Sequence, residues 1–246
     1  MSEIINIICV LWKGDFLKRT YTIDDVIRLH QMVQKHLTYR PIKFYCLTNV
    51  PLSEFNNYTE IIPIALKYNL SGWWSKLELF RLDLPFEGKC IYFDLDTIIT
   101  GSIDDFVNYS NNISFCTVLP LKGKMKIYDD IQIPGETHII LDDGLMNVIR
   151  FRSAVISWIA GTYILDIPDL IKKDITKIYR GDQDFFADDC TLPVDIFPKE
   201  WFIKIRDCYL NGPEPEIKIV WGNPKKMYRE ALRRNFPWVR KALGNV

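Results

Sequence analysis

The amino-acid sequence predicts an α/β fold with a mostly parallel central sheet flanked by helices. Three observations carry that prediction. Residues 4–11 and 42–48 are short, continuous apolar runs of the kind found in strands buried on both faces. Between them Ile23, Val26, Ile27, Leu29, His30, Val33 and Leu37 recur at a mostly helical period. Strand, helix and strand joined by short links begin a parallel sheet, because a parallel return needs a covering crossover.

Each element follows from local signals. The first strand ends in the turn Trp12-Lys13-Gly14-Asp15, and Thr22 is placed to cap the helix that follows. Pro41 closes that connection, and residues 59–64 form a third strand. In residues 71–82, Trp74, Leu77, Phe80 and Arg81 follow helical spacing, begun by Ser71 or Gly72 and ended by Pro85. Residues 90–93 read as a strand buried on both faces that runs straight into Asp94 and Asp96. Residues 113–119 are strand, 122–135 a polar loop or hairpin, and 138–151 strand material interrupted by Asp142-Asp143-Gly144. Residues 153–163 and 168–178 read as helices, and 180–187 as a turn entering a short helix. Residues 201–205 and 217–221 are late strands, 226–234 a basic helix, and Pro237-Trp238 restarts the tail. With no internal repeat or linker composition, residues 1–246 are expected to form one domain with a basic helical tail over about 224–246.

Composition bounds the function classes. Apolar content of 48% and charged content of 25% belong to a soluble globular chain able to enclose a core. The 31 basic and 31 acidic side chains point to no particular partner. Residues 217–246 depart from that balance, with eight basic side chains against Glu230 alone, a net +7. Such a tail reads as a solvated amphipathic helix, or as a surface for a polyanion such as DNA or an anionic membrane. The six cysteines are scattered without C-x-x-C spacing and read as buried thiols in a reducing compartment. Residues 4–12 are too short to cross a bilayer and lack a basic leader or cleavage site, so the expected location is the cytoplasm.

The candidate chemistry sits where apolar strands end. Asp94 and Asp96 leave a hydrophobic strand one residue apart, where carboxylates repel each other and lose solvation unless a cation or donors meet them. Mg²⁺ or Mn²⁺ answers that need, held by one or two carboxylates and completed by water and substrate phosphates. The plainer alternative has one aspartate facing solvent and the other capping the turn before Gly101-Ser102. Neither G-x-x-x-x-G-K-[ST] nor G-x-G-x-x-G is present, so a nucleoside diphosphate would need other cations, with Lys76 and Lys225 as candidates beside the metal. Lys76 is otherwise a solvated surface lysine. Asp182-Gln183-Asp184 opens a short helix, where carboxylates suit the helix dipole or form a polar wall for sugar hydroxyls.

Four blocks in order, residues 72–77 (GWWSKL), 92–106 (YFDLDTIITGSIDDF), 181–186 (GDQDFF) and 220–225 (VWGNPK), resemble the signatures of GT-A fold nucleotide-sugar glycosyltransferases. The likeness is to the glycogenin-like and lipopolysaccharide-galactosyltransferase-like retaining enzymes and their bacterial and phage relatives. It implies a single GT-A, Rossmann-like domain that moves a sugar from a UDP- or GDP-sugar to an acceptor such as a glycan, a lipid-linked glycan or a modified base in phage DNA, with retention. It further implies that Asp94 and Asp96 hold Mn²⁺ or Mg²⁺ on the diphosphate, that Lys76 and Lys225 contact the donor, and that Trp12 lies where the nucleotide is cradled. Asp182, Gln183 and Asp184 match the block lining the donor sugar, with Gln183 nearest the reacting carbon. Asp142 and Asp143 match an acceptor-side turn. The sequence departs from the family at Trp221, where a metal-ligating histidine is usual and an indole cannot ligate. Two other readings stand beside this one: a haloacid-dehalogenase-type phosphatase with Asp94 as nucleophile, and a non-catalytic nucleotide-sugar-binding module.

Overall fold

In a computed structural model, residues 4–15, 21–39, 41–118, 137–140, 146–189, 193–205, 212–221 and 236–243 are described. The elements are β1 Ile5–Leu11, α1 Ile23–His36, β2 Ile42–Thr48, β3 Ile61–Ala65, a 3-10 helix Gly72–Phe80, β4 Lys89–Phe93, β5 Ile98–Ile99, α2 Asp104–Asn108 and β6 Ile113–Val118. They continue with β7 Thr137–Ile140, β8 Met146–Ile159, α3 Ile167–Lys172, α4 Ile175–Ile178, α5 Asp182–Asp189, β9 Val194–Ile196, β10 Phe202–Lys204, β11 Ile219–Trp221 and α6 Pro237–Leu243.

The main sheet runs β3-β2-β1-β4-β8-β6-β9, with β7 paired to β8. Neighbours are parallel except where β8 runs against β4, β6 and β7, so the sheet is mostly parallel, as the sequence predicts. A small second sheet, β10-β11-β5, lies just after the acidic strand end, with Val220 opposite Ile98.

Strand alternation sorts the core into two layers. Ile5, Ile7, Cys9 and Leu11 of β1 and Ile91 and Phe93 of β4 pack with Val26, Leu29, Met32 and Val33 of α1. Ile8 and Val10, with Cys90 and Tyr92, face the other way, toward Trp74, Leu77 and Phe80 of the 3-10 helix and Phe185 and Phe186 of α5. Asp94 continues the Cys90, Tyr92 alternation. The carboxylate after β4 is therefore aimed at the layer that holds the 3-10 helix and α5.

The helical spacing of residues 71–82 is realised as a 3-10 helix, whose three-residue period eclipses side chains at i and i+3. Trp74, Leu77 and Phe80 form one stripe into the core, while Trp73 and Lys76 form another along a cleft. Glu78 fixes this unusually long element. Its fully buried carboxylate accepts from the Lys67 and Tyr68 backbone N–H groups at 2.7 and 3.0 Å and from Arg81 at 2.7 Å.

Two expectations are corrected. Residues 153–159 belong to the long strand β8 rather than a helix, because Ser153 to Trp158 are buried on both faces between β4 and β6 and helical periodicity has no meaning there. The second expected helix splits at Asp174, which takes a left-handed conformation (φ 52°) between α3 and α4. Part of the tail docks as α6: Val239 and Ala242 are buried, and His36 of α1 lies 3.2 Å from the Ala242 carbonyl. The expected loop over 122–135 and basic helix over 226–234 lie outside the described residues.

Candidate functional site

A cleft of about 90 Å³ opens beyond the carboxyl ends of β1 and β4, and Trp12, Tyr21, Trp73, Lys76, Asp94 and Asp96 line it. In parallel α/β sheets this is where ligands sit. At its floor the chain buries a cation among acids. The Lys76 ammonium, 8% exposed as a residue, lies 2.8 Å from Asp94 Oδ1, 3.3 Å from Asp182 Oδ2 and 3.1 Å from Ser153 Oγ. An ammonium has three N–H donors, and this one is surrounded by two carboxylates and by Ser153, through its hydroxyl and its carbonyl at 3.5 Å. Lys76 is thus a buried ion-pair partner and not a solvated surface lysine.

Burial works against the charge on Lys76, but Asp182 and Asp94 outweigh it and hold the ammonium pKa above its usual range. Burial also drives the Tyr92 phenol well above its ordinary value, reinforced by Asp94, to which Tyr92 donates a 2.5 Å hydrogen bond. The Ser153 hydroxyl donates to Asp182 at 2.5 Å. Strand β4, the 3-10 helix, β8 and α5 each contribute to one connected network. In the neighbouring layers, burial pushes the Cys90 and Cys116 thiols up to about 12, which keeps them protonated and unreactive. Cys9, Cys46, Cys90 and Cys116 are free and buried, as the sequence suggests.

The other sequence-predicted residues fall as follows. Asp96 lies on the same cleft and accepts from Tyr21 at 3.0 Å. Trp12 lines the cleft with its indole folded over Gly14, where a Cβ would stand 2.3 Å from Trp12 Cη2. Gln183 is held by Arg152 at 2.7 Å, and Asp184 is half-buried on α5. Trp221 sits at the end of β11. Lys225, Asp142 and Asp143 lie outside the described residues.

Sequence reasoning gave no site role to Tyr21, Arg152 and Ser153, and carried Trp73 and Tyr92 only inside the resembling blocks. Tyr92 was detectable, being two residues before Asp94 on one strand face. Gly181 also has a structural reason, since a Cβ there would approach Trp73 Nε1 to 3.3 Å, so the glycine lets the indole lie against the entry to α5.

Whether these residues suit a metal follows from the donor set. Among the described residues no group of three His, Cys, Asp or Glu side chains is placed to hold an ion. Two carboxylates on one cleft wall are nevertheless what Mg²⁺ uses when substrate phosphates and water complete its shell. Asp94 and Asp96 therefore fit Mg²⁺ or Mn²⁺ arriving with a diphosphate rather than a preformed metal centre.

No protein-family model and no curated protein sequence matches the chain. Solved structures do. An active-site mutant of the glycosyltransferase LgtC superposes with a TM-score of 0.56 at 11% identity, over 93% of this chain and 95% of that one. The glycosyltransferase GlyE of Streptococcus pneumoniae gives 0.57 at 13%, over 96% of this chain and 62% of GlyE. The bifunctional glycosyltransferase WbbM gives 0.51 at 12%, over 98% of this chain and 51% of WbbM. The chain spans only part of the latter two. At such identities the likeness establishes the fold, a GT-A-like, Rossmann-like α/β architecture.

Proposed function

We propose that this chain is a glycosyltransferase that moves a sugar from a nucleotide-diphosphate donor to an acceptor hydroxyl or similar nucleophile, with retention at the anomeric carbon. One observation carries the reading: in a GT-A-like fold, Lys76 ties the acidic end of β4 to the acidic start of α5 at the floor of a cleft. That joins the two halves such a reaction needs, a diphosphate site at Asp94 and Asp96 and a sugar site at Asp182, Gln183 and Asp184.

Asp94 and Asp96 would hold Mg²⁺ or Mn²⁺, which when bound supplies Lewis-acid stabilisation of the departing diphosphate. The remaining work falls to the chain's own residues. Trp12, Tyr21 and Trp73 provide aromatic walls for the nucleoside and exclude water from it. Lys76 and Ser153 clamp Asp182 so that its carboxylate is already oriented when sugar hydroxyls arrive. Gln183, braced by Arg152, lies closest to the reacting carbon, where an oriented amide dipole stabilises oxocarbenium-like charge. The sugar C1–O bond to phosphate breaks and a C1–O bond to the acceptor forms. The acceptor proton leaves toward the departing diphosphate on the same face. Lys225 would add positive charge at the phosphates, and Asp142 and Asp143 would face the acceptor.

We further take residues 1–246 as one domain working in the cytoplasm, in keeping with the four buried free thiols among the described residues. Among the described residues no helix is long and apolar enough to cross a membrane. The acceptor is a glycan, a lipid-linked glycan or a modified DNA base, and a polyanion could be gathered by the basic residues over 224–246. Trp221 favours a second reading, a module that binds nucleotide sugars without turning them over. Incubating the protein with a panel of UDP- and GDP-sugars and Mn²⁺, then measuring released nucleoside diphosphate by mass spectrometry, separates the two. Release that disappears in Asp94→Asn supports the enzyme; binding without release supports the module; neither binding nor release removes both.

A further inference from the structure

The buried lysine leaves a charge problem at the cleft. Lys76 faces Asp94, Asp182 and Ser153 with all three of its N–H groups, so it can grip a phosphate only by releasing one of them. Among the described residues, Lys76 meets two carboxylates and Asp96 adds a third to the lining of the same cleft, so a diphosphate entering there meets acidic groups. A divalent ion offsets part of this. The structure holds a further source of positive charge on the other side of the acidic turn.

That source is organised by Trp221. The Lys204 ammonium lies 5.5 Å from the centre of the Trp221 ring, and the Arg152 guanidinium lies 6.0 Å from it. Both are cation–π distances. Three elements converge here. Lys204 of β10 is the register partner of Trp221 in β11. Arg152 comes from β8, one residue before the Ser153 that holds Lys76 and Asp182. The β11 to β5 pairing, Val220 opposite Ile98, brings the end of β11 to the strand that follows the acidic turn, Ile98 standing two residues after Asp96. Arg152 also donates to Gln183 at 2.7 Å, so this cluster reaches the sugar-side block as well as the acidic turn. All three side chains are half-buried rather than spread into solvent. A guanidinium is planar with five donors and can serve Gln183 and a phosphate together.

We infer that Arg152 and Lys204, gathered on Trp221, form a protein-borne cation site for the donor's diphosphate, so that nucleotide binding does not depend on a metal alone. The inference rests on the nucleotide-sugar reading above and gives the indole at position 221 a role. A flat aromatic collects two cations where an imidazole would instead offer a metal ligand. Arg152 then links phosphate binding to the orientation of Gln183.

The test is calorimetric titration of UDP and GDP into the wild type and into Arg152→Gln, Lys204→Gln and Trp221→His, each in EDTA and in Mn²⁺, with circular dichroism as a check on folding. Binding in EDTA is expected for the wild type. Each glutamine variant should weaken it by about tenfold or more, the worth of one charge-assisted hydrogen bond. Trp221→His should lose binding in EDTA and recover it in Mn²⁺. Because the two cations sit on different strands, misfolding of one variant leaves the other to decide. Wild-type binding that vanishes in EDTA but persists in Mn²⁺ overturns this inference and leaves the glycosyltransferase reading standing, as does EDTA binding that neither glutamine variant weakens. No binding of either nucleotide in either buffer overturns both.

Discussion

Replacing Lys76 by methionine keeps most of the side-chain volume and removes the charge. Asp94 and Asp182 are then left around an apolar sulfur, with Asp182 only 5% exposed in its side chain and Ser153 its one remaining described donor. Removing one partner of a buried ion pair costs roughly 3–5 kcal/mol, because the other charge stays buried without compensation. For a domain of this size each kcal/mol is about 2–4 °C, so Tm should fall by roughly 6–20 °C. The sign of the pH dependence is fixed as well. The folded-state pKa of Lys76 is raised above its ordinary 10.5, so its stabilisation is complete below that value and is lost as pH climbs through the raised one. A melt at neutral pH therefore reads the whole effect. Adding Asp182→Asn removes one of the stranded charges, and the double variant should melt above Lys76→Met alone. A drop under about 2 °C for Lys76→Met, at the conversion used above, or no recovery in the double variant, would refute the claim that this ion pair organises the cleft floor.

Four further outcomes follow from the same structure. Ser153→Ala removes hydroxyl contacts to both Lys76 and Asp182 and should cost about 1–3 kcal/mol in urea denaturation, with nucleotide affinity reduced as Asp182 loses its orientation. In Gly14→Ala the new Cβ meets the Trp12 ring at 2.3 Å, so the indole must move; nucleotide affinity should weaken while Tm stays nearly unchanged. Burial lowers the pKa of both His30, despite the nearby Glu60, and His36, despite its contact with the Ala242 carbonyl. Each resists protonation when folded, so Tm should decline as pH drops below their ordinary 6.5, and His30→Asn should flatten part of that slope. Tyr21→Phe deletes the hydroxyl that reaches Asp96 and should change nucleotide affinity in Mn²⁺ without lowering Tm appreciably.

Much of the architecture was legible in the chain because its strands are short apolar runs bounded by turn residues. Asp94 and Asp96 stood out for a physical reason, since charge at the end of a hydrophobic strand needs a partner. What the sequence withheld was identity of partners. Nothing local says that Lys76 is buried, because its stripe on the 3-10 helix is set by a period of three, and Glu78, the anchor of that helix, reads as an ordinary surface acid. Residues 153–159 misled for the opposite reason: a strand covered on both faces carries no alternation, and its serines and alanine suit a helix equally well. Arg152 and Ser153 acquire meaning only once β8 is placed between β4 and β6. Trp221 was visible as a departure, but the cations around it come from elements far apart in sequence.

The most direct test of the account is crystallographic. Crystals grown with UDP or GDP and Mn²⁺ are predicted to show the nucleoside against Trp12 and Trp73, its phosphates at Asp94 and Asp96, and an anomalous manganese peak bonded to those two carboxylates. Nucleotide density anywhere else on the molecule, or phosphates distant from the end of β4, would contradict it.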